Sequence, residues 1–354
     1  MKLKVGVLYG GKSAEHDVSI KSAKNIVNAM DRNKYDIHLI KISKDGTWYW
    51  QKNTVIPTEG KAENDTEILS NQNLDAGELV KIGNKLDIKS LDVVFPIIHG
   101  TYGEDGSLQG FLEMLDLPYV GPGILGSSVG MDKDLSKRLL LQAGVKVADS
   151  MTLYSWSEQQ PIYEEVTAKL GTPVFMKPCN AGSSVGVSKI RNADEYAAGL
   201  LEAFRFDTKI LIEEFIDGRE IECAVLGNEY PKASILGEIL PTQEFYSYDA
   251  KYNDATSRTQ MPADIPADLT NEIREAAIKI FQVLACEGMA RVDFFLRGDE
   301  YFLNEINTIP GFTNISMYPQ LWEYSGIPQA QLMDELIDLA IKRAERKAKL
   351  QFTM

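Results

Sequence analysis

Residues 289–307 read MARVDFFLRGDEYFLNEIN and predict a β-hairpin, with strands Met289–Arg297 and Tyr301–Asn307 around the turn Gly298-Asp299-Glu300. Side chains alternate between the two faces of a strand, and one face of this hairpin is apolar. Its members are Val292, Phe294, Leu296, Phe302 and Ile306. A ribbon with one apolar face is typical of an antiparallel sheet that packs on a core, so this stretch predicts an α+β architecture for the C-terminal part of the chain.

The opposite face of the hairpin carries charged and amide side chains. Arg291 and Asp293 share it on the first strand, as do Glu305 and Asn307 on the second. If the turn has an odd number of residues, Asp293 lies opposite Glu305 and all four side chains converge. Two carboxylates and an amide oxygen then form a hard-oxygen site suited to Mg²⁺ that bridges substrate phosphates. The alternative is a solvated charged face, which the apolar character of the other face disfavours.

The whole chain has the composition of an ordinary globular protein. It has 354 residues, of which 44% are hydrophobic and 25% charged, and its net charge is −14. At roughly 150 residues per domain, this length predicts about two to three domains. The composition excludes a disordered chain, a collagen-like fibre and a small disulfide scaffold. The acidic balance argues against a nucleic-acid partner, because affinity for a duplex rests on cationic contacts to phosphate.

Cysteine usage and apolar runs predict a cytoplasmic protein with no membrane partner. The three cysteines, Cys179, Cys223 and Cys286, are odd in number and lack metal-type spacing, which indicates reduced thiols. The apolar run Val5–Tyr9 is too short for a signal peptide, and charged residues follow it almost at once. No apolar stretch approaches the ~20 residues that span a bilayer.

The N-terminal part alternates short apolar strands with helical segments. The predicted strands are Lys4–Tyr9, Tyr35–Ile42, Thr47–Gln51 and Asp92–Ile98. This order indicates an open, Rossmann-like α/β sheet, whose ligands bind beyond the carboxyl ends of its strands. Glu15 and His99 each follow such a strand, and His99 is one of only three histidines. Residues 52–80 are polar and weakly patterned and predict an irregular segment.

From residue 131 the pattern changes to antiparallel α+β. We predict domains at residues 1–130, 131–230 and 231–354. The predicted helices of the later parts are Asp132–Ala143, Ala193–Phe206, Leu269–Leu284 and Ala330–Leu350. The predicted strands are Pro173–Lys177, Val185–Ile190, Lys209–Phe215 and Glu220–Leu226, and the segment Pro231–Leu240 precedes a tyrosine-rich loop.

A glycine-serine loop and an acidic turn are candidate nucleotide contacts. The loop, KPCNAGSSVG at 177–186, can aim backbone N–H groups at phosphate oxygens, and Lys177 adds charge. It has neither the Walker A pattern nor the dinucleotide fingerprint, and an ordinary hairpin turn is the alternative. The acidic turn, EEFIDGRE at 213–220, could bind a nucleoside or be merely solvated. A serine hydrolase lacks support, since no serine lies in a G-x-S-x-G elbow.

Together these segments resemble the D-alanine–D-alanine ligases of the ATP-grasp superfamily, in order and over nearly the whole chain. The resembling stretches are GGKSAEHDVS at 10–19, HGTYGEDGSLQG at 99–110, GPG at 121–123, MDK at 131–133, 177–186, YSYDAKY at 246–252, ARVD at 290–293 and NEINTIPG at 304–311. The chain departs from these relatives at Cys179-Asn180-Ala181, although Gly182-Ser183-Ser184 is intact.

The resemblance implies an ATP-grasp fold with an N-terminal open α/β domain, a central antiparallel α+β domain, and a C-terminal α+β domain with a metal site and lid loop. It also implies the reaction. ATP phosphorylates the carboxylate of a first D-alanine, and the amine of a second attacks the acyl phosphate. The products are D-alanyl-D-alanine for peptidoglycan, ADP and phosphate. A homodimer through the first domain is implied as well.

Carried over residue by residue, the resemblance places ATP and its metal ions in the second half of the chain. The phosphates would be held by Lys133, Lys177, Lys251 and Ser184. Adenine and ribose would be held by Glu213, the backbone of Phe215 and Ile216, and Glu220. Two Mg²⁺ ions, for which Mn²⁺ can substitute, would be held by Asp293, Glu305 and Asn307.

The same resemblance assigns the amino-acid substrates. Glu15 would take the ammonium of the first D-alanine, beside whose carboxylate His99 would lie. Ser316 and the backbone of Met317 would bind the second carboxylate. Arg291 and the N–H of Gly311 would stabilise the oxyanion. Ser183 would link Glu15 to Tyr252 when the loop Glu244–Tyr252 closes, and a tyrosine at 252 goes with dipeptide-forming ligases.

Other functions remain as alternatives. A D-alanine–D-lactate or D-alanine–D-serine ligase would have the same fold. A Rossmann oxidoreductase would need the glycine fingerprint that this chain lacks. A nucleotide-binding regulator without activity would be expected to lose some of the lysines, carboxylates or Arg291, all of which are present.

Overall fold

The computed structural model describes residues 1–51, 56, 65–69, 90–240 and 258–351, which form three sheets surrounded by helices. The helices in these ranges are α1 (His16–Ala29), α2 (Ser107–Met114), α3 (Ile124–Met131), α4 (Lys133–Gln142), α5 (Tyr163–Leu170), α6 (Ala193–Ala203), α7 (Ala267–Val283), α8 (Met317–Tyr324) and α9 (Gln329–Ala348). The combination of α/β and α+β parts agrees with the prediction.

The first sheet is the predicted open α/β sheet. Its strands are β1 (Leu3–Gly10), β2 (Tyr35–Ile42), β3 (Trp48–Gln51), β4 (Asp65–Leu69) and β5 (Val93–Ile97), in the order β4-β3-β2-β1-β5. Strand β1 is parallel to both β2 and β5, whereas β3 and β4 are antiparallel. The prediction that residues 52–80 are irregular is wrong for β4, because its pairing with β3 is made by backbone groups that hydrophobic patterning does not reveal.

At the carboxyl end of β1, Gly10 lies very close to the backbone of the neighbouring strand β2. Gly10 has φ +93°, and a Cβ there would lie 2.1 Å from the Ile42 carbonyl oxygen. Only glycine fits this approach. The chain then turns into α1 with Glu15 just before its first residue, while β5 ends just before His99. Both candidate residues therefore lie at the sheet edge where open α/β folds bind ligands.

The second sheet is antiparallel throughout. Its strands are β6 (Ser150–Tyr154), β7 (Val174–Pro178), β8 (Ser188–Ile190) and β9 (Lys209–Glu214), in the order β6-β9-β7-β8. Helices α5 and α6 pack on it through a core that includes Val166, Met176 and Ile212. Helix α6 is capped by Asn192, whose side-chain oxygen accepts a hydrogen bond from the Glu195 N–H at 2.9 Å.

The third sheet contains the hairpin. Its strands are β10 (Arg219–Gly227), β11 (Lys232–Leu240), β12 (Arg258–Gln260), β13 (Gly288–Arg297) and β14 (Glu300–Asn307), in the order β12-β11-β10-β13-β14. Strand β10 pairs with β11 and β13 and not with the second sheet. The chain therefore passes from the second sheet to the third in the turn between Glu214 and Arg219.

The hairpin reaches the predicted register by a different route. Arg297 pairs with Glu300, so the turn is Gly298-Asp299 and not the three residues predicted. The register shifts beyond Asp293, and Asp293 then lies opposite Glu305. This shift is a β-bulge at Asn304, which also puts Leu303 in the core in place of the predicted Phe302.

Helices α8 and α9 join the first and third sheets in one core. Tyr9 and Phe95 of the first sheet belong to the same buried cluster as Leu226, Trp322 and Leu336. All three cysteines are free and buried, as expected for reduced thiols. Within the ranges that the structure describes, no helix combines the length and apolarity that a membrane crossing needs.

Candidate active site

A cavity of about 710 Å³ lies between the second and third sheets. It brings together every predicted ATP-binding residue in the described ranges: Lys133, Lys177, Ser184, Glu213, Phe215, Ile216 and Glu220. The metal candidate Glu305 lines it too, as does Asn304 from the bulge. Lys251 lies outside the described residues. The cavity therefore joins the glycine-serine loop, the acidic turn and the hairpin, which are far apart in the sequence.

One buried carboxylate organises the cationic side of this cavity. Glu213 Oε1 lies 2.5 Å from Lys137 Nζ, and its other oxygen accepts a hydrogen bond from the Lys177 ammonium. Burial alone would raise the pKa of Glu213, but Lys137 and Lys177 together lower it to about 2. Burial lowers the pKa of Lys137, against the attraction of Glu213. For Lys177 the attraction of Glu213 outweighs burial and raises its pKa.

Lys137 is a site residue that sequence reasoning missed. It lies four residues after Lys133 on α4, so the two side chains share one face of the helix. Lys133 Nζ donates to the Ala181 carbonyl at 2.8 Å and lies 3.6 Å from Glu305 Oε2. The four-residue spacing was the signal that could have identified Lys137.

The glycine-serine loop is held in an unusual backbone conformation. Ser183 and Ser184 have φ values of 50° and 60°, the left-handed region that residues other than glycine seldom adopt. The residues that depart from the family pattern are tied down: Asn180 N–H and Nδ2 both donate to Asp207, at 2.7 and 3.0 Å. Cys179 is buried, and burial raises the pKa of its thiol to about 12, so it does not act as a thiolate.

An aromatic wall closes another side of the cavity. The rings of Phe175 and Phe215 lie 5.9 Å apart, and Lys189 Nζ lies 4.4 Å from the centre of the Phe215 ring. A flat apolar wall beside polar groups suits a purine base, which stacks through its faces and is recognised at its edge.

The hairpin presents its charged face as predicted. Arg291 Nε and Nη2 donate to the two oxygens of Asp293 at 2.8 and 2.7 Å, and Asn307 Nδ2 donates to Asp293 at 2.9 Å. Arg291 also lies 2.9 Å from Glu222, a residue not predicted. Among the residues described, no group of three or more His, Cys, Asp or Glu is placed to hold a metal. Two carboxylates and an amide fit Mg²⁺, which takes few protein ligands and completes its shell with substrate phosphates and water.

A second, smaller cavity of about 100 Å³ contains the predicted substrate residues. Its walls include Glu15, His99, Ser183, Arg291, Gly311, Ser316 and Met317. Gly182 and Ser183 line both cavities, so the two cavities adjoin along the glycine-serine loop. Tyr252 lies outside the described residues.

Glu15 and Ser183 join two distant parts of the chain. The Ser183 hydroxyl donates to Glu15 Oε1, although 168 residues separate them. Glu15 is buried. A buried carboxylate with one oxygen bound in this way is a fixed acceptor for an ammonium group.

Ser316 lies at the N-terminus of α8, where the first N–H groups of a helix have no partners within it. Its hydroxyl accepts from the Thr313 N–H at 2.9 Å and lies 2.8 Å from Thr313 Oγ1. Met317 follows as the first helical residue. A helix N-terminus with a hydroxyl beside it suits a carboxylate.

His99 is buried, and both of its ring nitrogens face protein groups. Nδ1 lies 3.0 Å from the Ile309 carbonyl oxygen and Nε2 lies 3.3 Å from Ser22 Oγ. Burial lowers the pKa of His99, although Glu15 opposes this. Nearby, Glu104 accepts from the Gly100 and Ile309 N–H groups. Burial, followed by the charge of Glu15, raises the pKa of Glu104 to about 8.

Comparison with known proteins agrees with this geometry. Models of the "D-ala D-ala ligase N-terminus" and "D-ala D-ala ligase C-terminus" match residues 4–122 and 139–338. The chain belongs to the D-alanine–D-alanine ligase family. Family membership makes it a ligase, in agreement with the sequence resemblance.

Individual relatives cover the chain almost completely. It is 48% identical over 363 residues to the D-alanine–D-alanine ligase of Oceanobacillus iheyensis, covering 99% of this chain and 98% of that protein. The solved D-alanine–D-alanine ligase from Coxiella burnetii matches with a TM-score of 0.83 at 40% identity, covering 98% of this chain and 96% of that one. The ligase from Bacillus anthracis complexed with ATP matches with a TM-score of 0.75 at 27% identity, covering 98% and 99%.

Proposed function

We propose that this ligase joins two molecules of D-alanine at the expense of ATP. The observation that carries the proposal is the meeting of two cavities along one loop. One is large, with lysines and an aromatic wall, and the other is small, with Glu15, Arg291 and Ser316. ATP phosphorylates the carboxylate of the first D-alanine, and the product feeds the synthesis of peptidoglycan precursors.

We assign ATP to the larger cavity. Lys133, Lys177 and the loop at Ser184 hold the phosphates, with Lys251 at the γ phosphate. Glu213, the backbone of Phe215 and Ile216, and Glu220 hold adenine and ribose. The ionised state of Glu213 supports this assignment, because a carboxylate accepts from the 6-amino group of adenine and would repel a 6-keto oxygen.

Asp293, Glu305 and Asn307 would hold two Mg²⁺ ions, for which Mn²⁺ can substitute. When bound, these ions neutralise the charge of the transferring phosphoryl group and align it. The oxygen-rich donor set of the hairpin supports the assignment: Glu305 lines the larger cavity, Asn307 lines the smaller one, and Asp293 lies opposite Glu305. Lys133, 3.6 Å from Glu305, adds positive charge at the same place.

The first D-alanine is assigned to the smaller cavity. Glu15 binds its ammonium, and His99 lies in the wall beside its carboxylate. The nitrogen of the second D-alanine, in its neutral form, attacks the carbonyl carbon of the acyl phosphate. Arg291 and the Gly311 N–H stabilise the oxyanion that forms, and the carbon–oxygen bond to phosphate then breaks, so phosphate leaves.

The second D-alanine is assigned to the N-terminus of α8, where Ser316 and the backbone of Met317 bind its carboxylate. The sequence resemblance adds Tyr252, linked through Ser183 to Glu15, as a residue that favours an amine nucleophile. It also supports the further proposals of a homodimer formed through the first domain, a cytoplasmic location, and domains at residues 1–130, 131–230 and 231–354.

Phosphate release from Mg²⁺ and ATP tests the function directly. It is measured with D-alanine, with L-alanine, and with D-alanine plus D-lactate or D-serine, and products are identified by mass. We expect release that depends on D-alanine and yields D-alanyl-D-alanine. A dominant depsipeptide or D-alanyl-D-serine would instead assign the alternative specificity, and no release with any substrate would contradict the proposal.

A further inference from the structure

One short backbone segment, residues 309–312, is held by side chains that follow strands of the first sheet. His99 Nδ1 donates to the Ile309 carbonyl at 3.0 Å, and the Ile309 N–H donates to Glu104 Oε1 at 2.9 Å. His99 and Glu104 precede Ile309 by 210 and 205 residues. Both polar backbone groups of this one residue are therefore bound from another part of the fold.

His99 also contacts Ser22, which binds the segment at a second point. Ser22 Oγ lies 3.3 Å from His99 Nε2, and it accepts from the Phe312 N–H at 3.1 Å. Asn25, one turn further along α1, donates to the Phe312 carbonyl at 2.8 Å. The hydrogen bonds thus run from Ile309 through His99 and Ser22 to Phe312. They hold the backbone on both sides of Gly311.

The chemistry of these groups decides which atom donates in each hydrogen bond. A carbonyl oxygen only accepts, so Nδ1 of His99 carries the proton and Nε2 accepts from the Ser22 hydroxyl. Ser22 Oγ keeps a lone pair for the Phe312 N–H. The residues His99, Ser22 and Phe312 are 3%, 0% and 1% exposed, so no water replaces a hydrogen bond that is lost.

The segment needs such anchors because it has no regular structure of its own. Residues 308–316 belong to neither a helix nor a strand. Gly311 lines the smaller cavity with Arg291, and a Cβ at this position would lie 2.9 Å from Ser316 Oγ. An N–H that stabilises an oxyanion acts only when it points at the developing charge.

We propose that Ser22 and Glu104 are positioning residues, which act with His99 to direct the Gly311 N–H at the oxyanion of the ligation step. This inference rests on the proposed function, in which Gly311 has that role. It also explains how Glu15, which comes after strand β1 of the first sheet, keeps a fixed position relative to the Gly311 N–H, which comes after strand β14 of the third sheet.

The test compares Ser22→Ala and Glu104→Gln with a matched control, Ser19→Ala. Ser19 is a buried serine on the same helix, and its hydroxyl bonds to Ile97 and Gly10 and not to the 309–312 segment. We measure kcat for dipeptide, KM for ATP, and the ratio of phosphate released to dipeptide formed, after checking by thermal unfolding that each variant is folded.

For Ser22→Ala and Glu104→Gln we expect kcat to fall by about tenfold to a hundredfold with an unchanged KM for ATP, since the full loss of one oxyanion donor costs about 10²–10³ in rate. Phosphate should exceed dipeptide, because water can attack the waiting acyl phosphate at phosphorus, breaking the P–O bond and returning D-alanine without using Gly311. Ser19→Ala should keep the wild-type kcat and ratio.

Two results would overturn the inference. One is wild-type kcat and stoichiometry in Ser22→Ala and Glu104→Gln. The other is an equal loss in Ser19→Ala, which would assign the effect to packing of α1. If either test variant fails to fold, the other decides. Failure of the proposed function looks different, because the wild-type enzyme itself would then form no dipeptide.

Discussion

In the function we propose, Glu305 is the residue that contacts both the nucleotide site and the metal ions. It lines the larger cavity, lies opposite Asp293 across the hairpin, and is 3.6 Å from Lys133 Nζ. Its side chain is 23% exposed. A partly hydrated carboxylate contributes little to folding but much to a bound cation, so its function and its contribution to stability are separable.

Glu305→Gln should abolish turnover while leaving the fold intact, because it removes a negative charge from the metal site and keeps the size of the side chain. We expect kcat to fall by at least about a hundredfold, the effect of several kcal/mol of lost charge stabilisation. Phosphate release and thermal unfolding measure the two properties.

The matched control is Glu300→Gln on the same strand. Glu300 is 55% exposed and pairs with Lys146 away from the cavity. It should keep the wild-type kcat. Wild-type turnover in Glu305→Gln would refute the metal assignment, and an equal loss in both variants would indicate that charge on β14 in general is needed.

The hairpin shows what a strand pattern predicts and where it stops. Alternation correctly placed Arg291, Asp293, Glu305 and Asn307 on one face, because the period of a strand is two. The predicted length of the turn was wrong, because the register depends on the bulge at Asn304. A bulge is selected by contacts across the sheet and with Lys177, whose ammonium lies 3.4 Å from Asn304 Oδ1, so one segment alone does not reveal it.

Helix α4 and strand β9 are joined by the Glu213 cluster, which consists of Glu213, Lys137 and Lys177. Glu213 and Lys137 are both buried, with side chains 4% exposed, and Lys177 is the second cation. The attraction between a buried carboxylate and two ammonium groups offsets the desolvation cost of burying each of these charges.

Glu213→Gln should lower the free energy of unfolding by about 3–5 kcal/mol, because it leaves two buried ammonium groups facing each other without a counter-charge. Urea denaturation measures the change. The control is Glu214→Gln on the same strand. Its carboxylate accepts from the Asp149 N–H, and the glutamine oxygen can still accept that bond, so the change should cost at most about 1 kcal/mol. Equal values for the two variants would contradict a special role for Glu213.

The same cluster predicts a pH dependence. The pKa of Glu213 is lowered from 4.5 to about 2 by Lys137 and Lys177 against the effect of burial. Its ionised form therefore contributes stability that is fully present above pH 4.5 and is lost as the pH falls towards 2. We expect the difference in unfolding free energy between wild type and Glu213→Gln to shrink over that range. A difference that stays constant down to pH 2 would contradict the assignment.

The molecule is held together across its sheets by the last helix. Arg343 of α9 donates to the Gly121 carbonyl, donates to the Tyr119 carbonyl at 2.6 Å, and lies 4.3 Å from the Tyr119 ring. It is 8% exposed, although arginine is seldom buried without partners. These contacts tie α9 to the edge of the first sheet, where Tyr119 forms a β-bridge with Val94 of β5.

Arg343→Ala should lower the free energy of unfolding by about 2–4 kcal/mol, because it leaves two buried carbonyl groups without donors and removes the contact with the Tyr119 ring. Chemical denaturation measures the loss. Lys342→Ala, the exposed neighbour paired with Asp338, should change stability by less than about 0.5 kcal/mol. A comparable loss in both would show that α9 stabilises through helix propensity rather than through Arg343.

The sequence by itself determined the classes of the sheets, the segments that line the two cavities and the family. These depend on local periodicity and on motifs whose residues lie close together in the chain, such as the serines of the glycine-serine loop and the carboxylates of the hairpin. Local patterns survive folding because they record which face of an element is buried.

Only the tertiary structure decided which distant groups meet. It paired β10 with the third sheet, added Lys137 to Glu213, and bound His99 to Ile309 across 210 residues. The physical reason is that a buried polar group must find a partner somewhere in the fold, and the partner is chosen by how the sheets and helices pack and not by its distance along the chain.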